Sequence, residues 1–339
     1  MTPEPTISVV IPCLNEVRHL PRLLASIAMQ TVQPTEVIVV DGGSTDGTRE
    51  WLEAAARVGV RVIDNPERIV PVAMNRGITA ATGELVARMD AHASYADDYL
   101  ECLRRVLAER PAVAAAGGVY RMSGSGAWGE AIAAVLSRPV GLGGAAHRSG
   151  GPEGPVDHVG TGMYRRTALV EVDGFDPTML ANEDFELDHR LKLAGHTVWL
   201  TPRAEFTSFN RDRLGALRRQ MWRYGWYKSR TLLMHPKSLR LRQLAPPSLI
   251  VGLVVLAAVD IPVGMAAGAG YVLLAGGAGM HAARADGASL WRAAATVPVV
   301  HFAWGAGLLA GLVVNSVAGR GVAPTAGAVR PSTLVDVSR

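Results

Sequence analysis

The chain has 339 residues, with 34 Lys and Arg against 30 Asp and Glu, a formal net charge of +4 and a sequence pI of about 9.3. That length points to a main domain with an appendage, and the mild basic balance makes the distribution of charge matter more than its total. Two cysteines, Cys13 and Cys102, exclude a disulfide framework, and neither sits in a C-x-x-C metal spacing, so each reads as a buried small apolar residue.

The first residues, MTPEPTIS, lack the basic start and apolar run of a signal peptide, so the N-terminal part is expected to fold in the cytosol. The short apolar runs "TISVVIP", "TEVIVVD", "VRVIDN", "GELVARMD" and "AVAAAGGVY" read as buried parallel strands. Helical patterns lie between them, over 17–30, 48–58, 71–81 and 97–109. Strand–helix alternation predicts an α/β sheet. Ligands of such sheets bind beyond the carboxyl ends of the strands. There lie Pro12, Asn15 and Glu16, then Asp41, then Asp90 and His92.

The second strand ends in "DGGSTDGT". Asp41 can accept hydrogen bonds from a base or ribose, and Gly42 and Gly43 let a backbone approach closely. Ser44 and Asp46 can cap the helix that begins near Thr48. Capping accounts for Asp46; ligand contact is the reading for Asp41. No G-x-G-x-x-G follows the first strand, and there is no Walker A loop. In "DAH", Asp90 and His92 can share one divalent cation. Carboxylate favours Mg²⁺ or Mn²⁺, and imidazole tilts the choice towards Mn²⁺. Such an ion would neutralise a diphosphate leaving group.

Residues 137–162 are rich in Gly and Pro without periodicity, which predicts a functional or disordered loop. His147 and His158, in or beside it, read as acceptor or metal contacts, or more simply as surface histidines. "ANEDFELDHRL" puts Glu183, Asp184 and Glu186 at a helix start, with Asp188 one turn after Asp184. Helix-dipole acids are the plain reading, and they account for Glu186 or Asp188.

From Arg211 to Arg242 there are ten Lys or Arg residues and one acid, interleaved with Trp and Tyr. This reads as an amphipathic belt at an anionic membrane surface rather than a nucleic-acid site. Beyond it the chain is almost uncharged: "PPSLIVGLVVLAAV", then 261–280, then 293–317. Crossing a bilayer takes roughly 20 apolar residues, so two or three spans are expected, with a turn at Asp260 and Pro262. Arg284 and Arg292 put the loop between the last two on the cytosolic side.

"SVVIPCLNE", "VIVVDGGSTDGT", "NRGITAATGELVARMDAH", "ANEDFELDHRLKLAG" and "QMWRY" together resemble a family 2 glycosyltransferase with a GT-A fold. The Asp-Ala-His form and the apolar C-terminal segments resemble the succinoglycan-type glucosyltransferases of bacterial exopolysaccharide assembly. The resemblance covers about residues 5 to 245. It implies a GT-A catalytic domain, Rossmann-like with a mostly parallel sheet, over 1–210. A basic interface segment over 211–245, transmembrane helices over 246–318 and a flexible tail over 319–339 complete the expected division.

The implied activity is inverting transfer of one sugar, UDP-glucose being the first candidate donor. The acceptor would be a polyprenyl-diphosphate-linked or other glycan at the cytosolic face of the inner or plasma membrane, without nucleic acid. In the family's pattern the nucleotide sugar contacts Pro12, Asn15, Glu16, Asp41, Asn75, Asp90, Gln220 and Arg223. A divalent cation (Mn²⁺ or Mg²⁺) falls on Asp90 and His92, with His for the family's second Asp. The catalytic pair falls on Glu183 and Asp184, with Asp184 as base. The Q-x-x-R-W motif appears as Gln220-Met221-Trp222-Arg223-Tyr224. A non-catalytic nucleotide-sugar-binding or scaffold protein is the alternative.

Overall fold

The computed structural model describes residues 4–56, 59–209 and 212–317; the expected tail over 319–339 lies outside them. The chain forms two compact units. One holds the residues up to Tyr120 together with Gly150–Ser208, and the other holds Arg121–Ser149 with the described residues from Phe209 on.

The first unit is built on a nine-stranded sheet. Strands β1 (Ile7–Cys13), β2 (Glu36–Asp41), β3 (Val60–Asp64) and β4 (Leu85–Arg88) run parallel in the order β3-β2-β1-β4. Their register sets Val10 opposite both Ile38 and Arg88, and Cys13 opposite Asp41. β5 (Ala93–Tyr95) is short, and β6 (Val113–Ser123) is the strand expected from "AVAAAGGVY". Between β4 and β6 lies β8 (Gly162–Arg165), antiparallel to both. β7 (Gly154–Pro155) and β5 pair with the long β9 (Thr197–Phe209), also antiparallel. β5 to β9, five of the nine strands, thus pair antiparallel, β6 among them although its apolar run reads as a parallel strand, so the sheet is mixed rather than mostly parallel.

Helices cover both faces. On one side lie α1 (Leu20–Ala28), α2 (Thr48–Ala56) and α4 (Tyr99–Glu109). α1 forms because Leu20, Leu23 and Ile27 recur at helical spacing while Pro21 occupies its first turn, where no N–H is needed. All three side chains are buried, each contributing about 1.5–3 kcal/mol, and Leu23→Ala would cost about 2–5 kcal/mol. On the other side lie α3 (Val70–Ala80), α8 (Arg166–Glu171) and α9 (Glu183–Leu193). Gly77 lets α3 close on β1: a Cβ there would come 2.2 Å from Val10 Cγ1.

The second unit is helical. It contains α5 (Gly126–Leu136), the one-turn α6 (Pro139–Leu142) and α7 (Ala146–Ser149), and the 21-residue α10 (Leu214–Met234). Two 3₁₀ turns lead to α11 (Ala245–Val259), α12 (Ile261–Arg284) and α13 (Leu290–Val317). Leu241–Val259, α12 and α13 are long and apolar enough to cross a membrane; α12, at 24 residues, extends about 36 Å. Asp260 is the hinge between α11 and α12, its carboxylate accepting from Val263 N at 3.0 Å.

α5 packs with the C-terminal helices. Ile132 and Leu136 meet Leu217, Met221 and Val300, and Trp128 meets the edge of Trp291 at 5.3 Å. This association is absent from the expected division at residue 210. α10 runs parallel to α13. Backbones touch where Gly225 lies under the Trp304 carbonyl and Gly307 under that of Trp222, since a Cβ would sit 2.0 and 2.2 Å from those oxygens. Small residues at such seams are the usual means of close helix association in a bilayer.

Candidate active site

The parallel strands β1, β2 and β4 end on the same edge of the sheet, and their following turns are tied to one another by side chains. After β2, the buried Asp41 accepts from Ser44 Oγ at 2.6 Å and Ser44 N at 3.2 Å, with Arg49 Nη1 at 3.6 Å. Asp46 caps as expected: its Oδ1 accepts from Thr48 Oγ1 and Thr48 N, and its Oδ2 from Val17 N.

After β1, Asn15 takes a left-handed backbone (φ 57°). Its Oδ1 accepts from Thr45 N and its N–H donates to Ser44 Oγ, both at 2.8 Å. Glu16 N donates to Thr48 Oγ1 at 2.9 Å. The β1 and β2 turns are thus one hydrogen-bonded platform. Pro12 lies within β1, paired in register with Val40.

Glu16 Oε1 approaches His92 Nδ1 at 3.6 Å, joining this platform to the turn after β4. Asp90 N donates to Tyr95 Oη at 2.8 Å. Arg88, buried at the end of β4, donates through Nε to Asp90 Oδ1 at 2.9 Å and through Nη1 to Glu183 Oε1 at 3.1 Å. One guanidinium therefore links the β4 turn to the start of α9, where Asn182 caps with a left-handed backbone. Burial pushes the Glu183 carboxyl up, the neighbouring Asp184 charge pushes it the same way, and Arg88 opposes both.

The two acids differ in access. The side chain of Glu183 is 11% exposed and ion-paired to Arg88, while that of Asp184 is 25% exposed. Asp184 Oδ2 faces His158 Nε2 at 3.7 Å, and His158 Nδ1 lies 2.8 Å from the buried Asp188. Glu186 is taken by Arg190, which also donates to the carbonyls of Val172 and Gly174. Its work is to hold the chain before α9.

Sequence reasoning missed Arg88, which carried a signal: a cation inside a buried strand needs an anionic partner. His158, read as an acceptor or metal contact or a surface histidine, has a side chain 15% exposed between two carboxylates. Asn75 is buried, and both ends of its amide are taken at 2.8 Å by the Phe175 backbone. Gln220 and Arg223 belong to α10 in the second unit, where Gln220 Nε2 donates to Tyr224 Oη at 3.1 Å and Arg223 is exposed.

Among the described residues, no three His, Cys, Asp or Glu side chains converge as a closed metal cage. Asp90 and His92 are a partial oxygen and nitrogen donor set, and both side chains keep exposed surface, 20% and 43%. That fits Mg²⁺ or Mn²⁺, which are held by one or two protein ligands together with substrate phosphates and water.

A mixed α/β sheet with acids and a guanidinium gathered at its carboxyl edge is followed in the chain by apolar helices. Among solved structures, a mannosyltransferase from Pyrobaculum calidifontis in complex with GDP-Man and Mn²⁺ superposes with a TM-score of 0.59 at 22% identity, covering 93% of this chain and 88% of that one. The family model for glycosyl transferase family 2 matches residues 8–173. The succinoglycan biosynthesis protein ExoA of Rhizobium meliloti (strain 1021) is 35% identical over 245 residues, 70% of this chain and 73% of that protein. A dolichyl N-acetyl-alpha-D-glucosaminyl phosphate 3-beta-D-2,3-diacetamido-2,3-dideoxy-beta-D-glucuronosyltransferase of Methanococcus voltae is 26% identical over 231 residues, 65% and 71% of the two chains. The chain belongs to glycosyl transferase family 2 and is a glycosyltransferase enzyme.

Proposed function

We propose that this enzyme transfers a single sugar, with inversion, from a nucleotide-diphosphate sugar to a glycan carried on a polyprenyl diphosphate at the cytosolic face of the inner or plasma membrane. UDP-glucose is the first candidate donor. The observation that carries the reading is the run of contacts Glu16–His92, Arg88–Asp90 and Arg88–Glu183, which ends beside the accessible Asp184. The similarity to a succinoglycan biosynthesis protein supports an exopolysaccharide acceptor. GDP-Man and Mn²⁺ in the Pyrobaculum enzyme support a nucleotide-sugar donor and a divalent ion.

Asp184 acts as the general base. It deprotonates the acceptor hydroxyl as that oxygen attacks the anomeric carbon, and its exposure next to the buried, paired Glu183 supports the choice. Glu183 holds Arg88, and Arg88 orients Asp90. Asp41, Asn15, Glu16 and Pro12 form the nucleoside end of the site. Gln220 and Arg223 are assigned to the donor, Arg223 to its diphosphate, on the resemblance alone. Asn75 is assigned to the scaffold, because Phe175 takes its amide. Mn²⁺ or Mg²⁺ on Asp90 and His92 would supply positive charge to the departing diphosphate.

Screening the full chain in detergent with Mn²⁺ against a panel of nucleotide sugars tests this. Preferential turnover of one donor, lost on chelation and restored by the ion, is expected. Inertness towards every donor, or full turnover after chelation, overturns it; a ladder of products overturns single-sugar transfer.

A further inference from the structure

The proposed reaction leaves Asp188 and His158 without a task. The Asp188 side chain is fully buried, yet its Oδ1 has no hydrogen-bond partner. Its Oδ2 accepts from Val159 N at 3.1 Å and lies 2.8 Å from His158 Nδ1. Gly160 N also approaches Nδ1, but at 3.3 Å, so the nearer carboxylate sets the tautomer: Nδ1 carries the proton and donates it to Asp188. The ring is edge-packed on Phe185 at 5.6 Å. Its other nitrogen, Nε2, is thereby turned to Asp184 Oδ2, 3.7 Å away.

We propose that His158, oriented by Asp188, is the proton outlet of Asp184. This rests on Asp184 being the base. The acceptor O–H bond breaks as its oxygen bonds the anomeric carbon, and the carbon–diphosphate bond breaks with its electron pair going to the diphosphate. The proton goes to Asp184. The Asp184 O–H then breaks as an Nε2–H bond forms on His158, giving an imidazolium between two carboxylates, which later releases the proton to solvent. With donor and acceptor bound, Asp184 is covered, and an outlet through a ring resets the base without admitting water to a reactive donor.

The surroundings favour a proton on the ring. Burial pushes the Asp188 carboxyl up, and His158 is the leading influence holding it down, so an imidazolium there would be matched by a buried anion that lacks other side-chain support. Also facing this cluster are Glu183 of α9, whose carboxyl the Asp184 charge pushes up, Tyr164 of β8, whose hydroxyl donates to Gly160 O at 3.3 Å, and Arg88 of β4, which is near enough to Asp184 to feel its charge.

The test compares variants of the full chain in detergent. His158→Gln keeps a hydrogen-bond donor but takes no proton. It should lower kcat about a hundredfold, the low end of the range for a positioned proton-transfer group, while the KM values for donor and acceptor stay within about twofold. His158→Gly should regain rate with added imidazole. Asp188→Asn should move the ascending limb of the kcat–pH profile to lower pH, because the imidazolium loses its anion. In an Asp184→Asn background, His158→Gln should cost nothing more. Wild-type kcat in His158→Gln, or a His158→Gly loss that imidazole leaves unchanged, overturns the outlet. If Asp184→Asn retains full transfer, it is the base assignment that fails; if Asp184→Asn is dead while His158→Gln is fully active, only the outlet fails.

Discussion

The α/β unit and the helical unit bury their polar groups by different rules. In the first, charged side chains are drawn inside and matched: Arg88 with Asp90 and Glu183, Asp188 with His158, Glu186 with Arg190. In the second, the closest contacts are backbone on backbone, opened by glycine at 225, 307 and 279, and α11 and α12 keep large apolar side chains such as Val254, Ile261 and Leu273 on the outside. Matched charges fix orientation, which chemistry needs. Glycine seams and greasy outer faces fix attachment, which a bilayer needs.

If that division is right, the largest effect of a small change belongs to the first unit. Asp184→Asn should cut transfer about 10³-fold, as expected for loss of a general base, with nucleotide-sugar binding by calorimetry retained. Arg88→Met comes next. It strands Glu183 and Asp90, and breaking a buried pair costs about 3–5 kcal/mol, read as a lower midpoint in chemical unfolding. Near-native stability would mean that the network is not a folding element. In the helical unit, Gly307→Ala sets a Cβ against the Trp222 carbonyl. Overpacking of about 1–3 kcal/mol should appear as lower thermal stability in detergent; an unchanged midpoint would mean that the seam is not closely packed.

The smallest effect is at Glu36. Its Oε1 accepts from Ser8 Oγ, Thr82 N and Thr82 Oγ1, tying β2 to β1 and to the turn before β4. Burial alone would push this carboxyl up, but the Thr82 and Ser8 hydrogen bonds and the Arg61 charge outweigh it and hold the carboxyl below its usual 4.5. A lowered folded value means stability that is present above the unfolded value and lost as pH falls through the folded one. Glu36→Gln should therefore flatten the acid limb of thermal stability below about pH 4.5 and leave stability at pH 7 lower by about 1 kcal/mol.

The legible parts of this molecule were those with local signatures. β1 to β4 are apolar runs bounded by turns, and the helices between them fall within a few residues of the expected spans. β8 was not visible because its four residues, Gly-Met-Tyr-Arg, the first three buried, show no alternation. β9 was masked by Pro202 and its polar residues. The acids of the site stood out because they end strands or open a helix. What joins them did not, because Arg88 and Glu183 are 95 positions apart and His158 and Asp188 are 30 apart. Only folding makes those pairs.

One feature of the helical unit sets a limit on how deep it can go. α10 and α13 touch from Leu217 beside Val300 to Ser229 beside Asn315, whose Nδ2 donates to Ser229 Oγ at 2.8 Å. Two rods joined along that length must sink or rise together. Arg218, Arg219 and Arg223 ride on the outer side of α10, and each guanidinium forced to mid-bilayer costs about 2.5–3.5 kcal/mol. Were the pair to enter a bilayer, the cations on α10 would oppose the descent of α13 past the lipid phosphates.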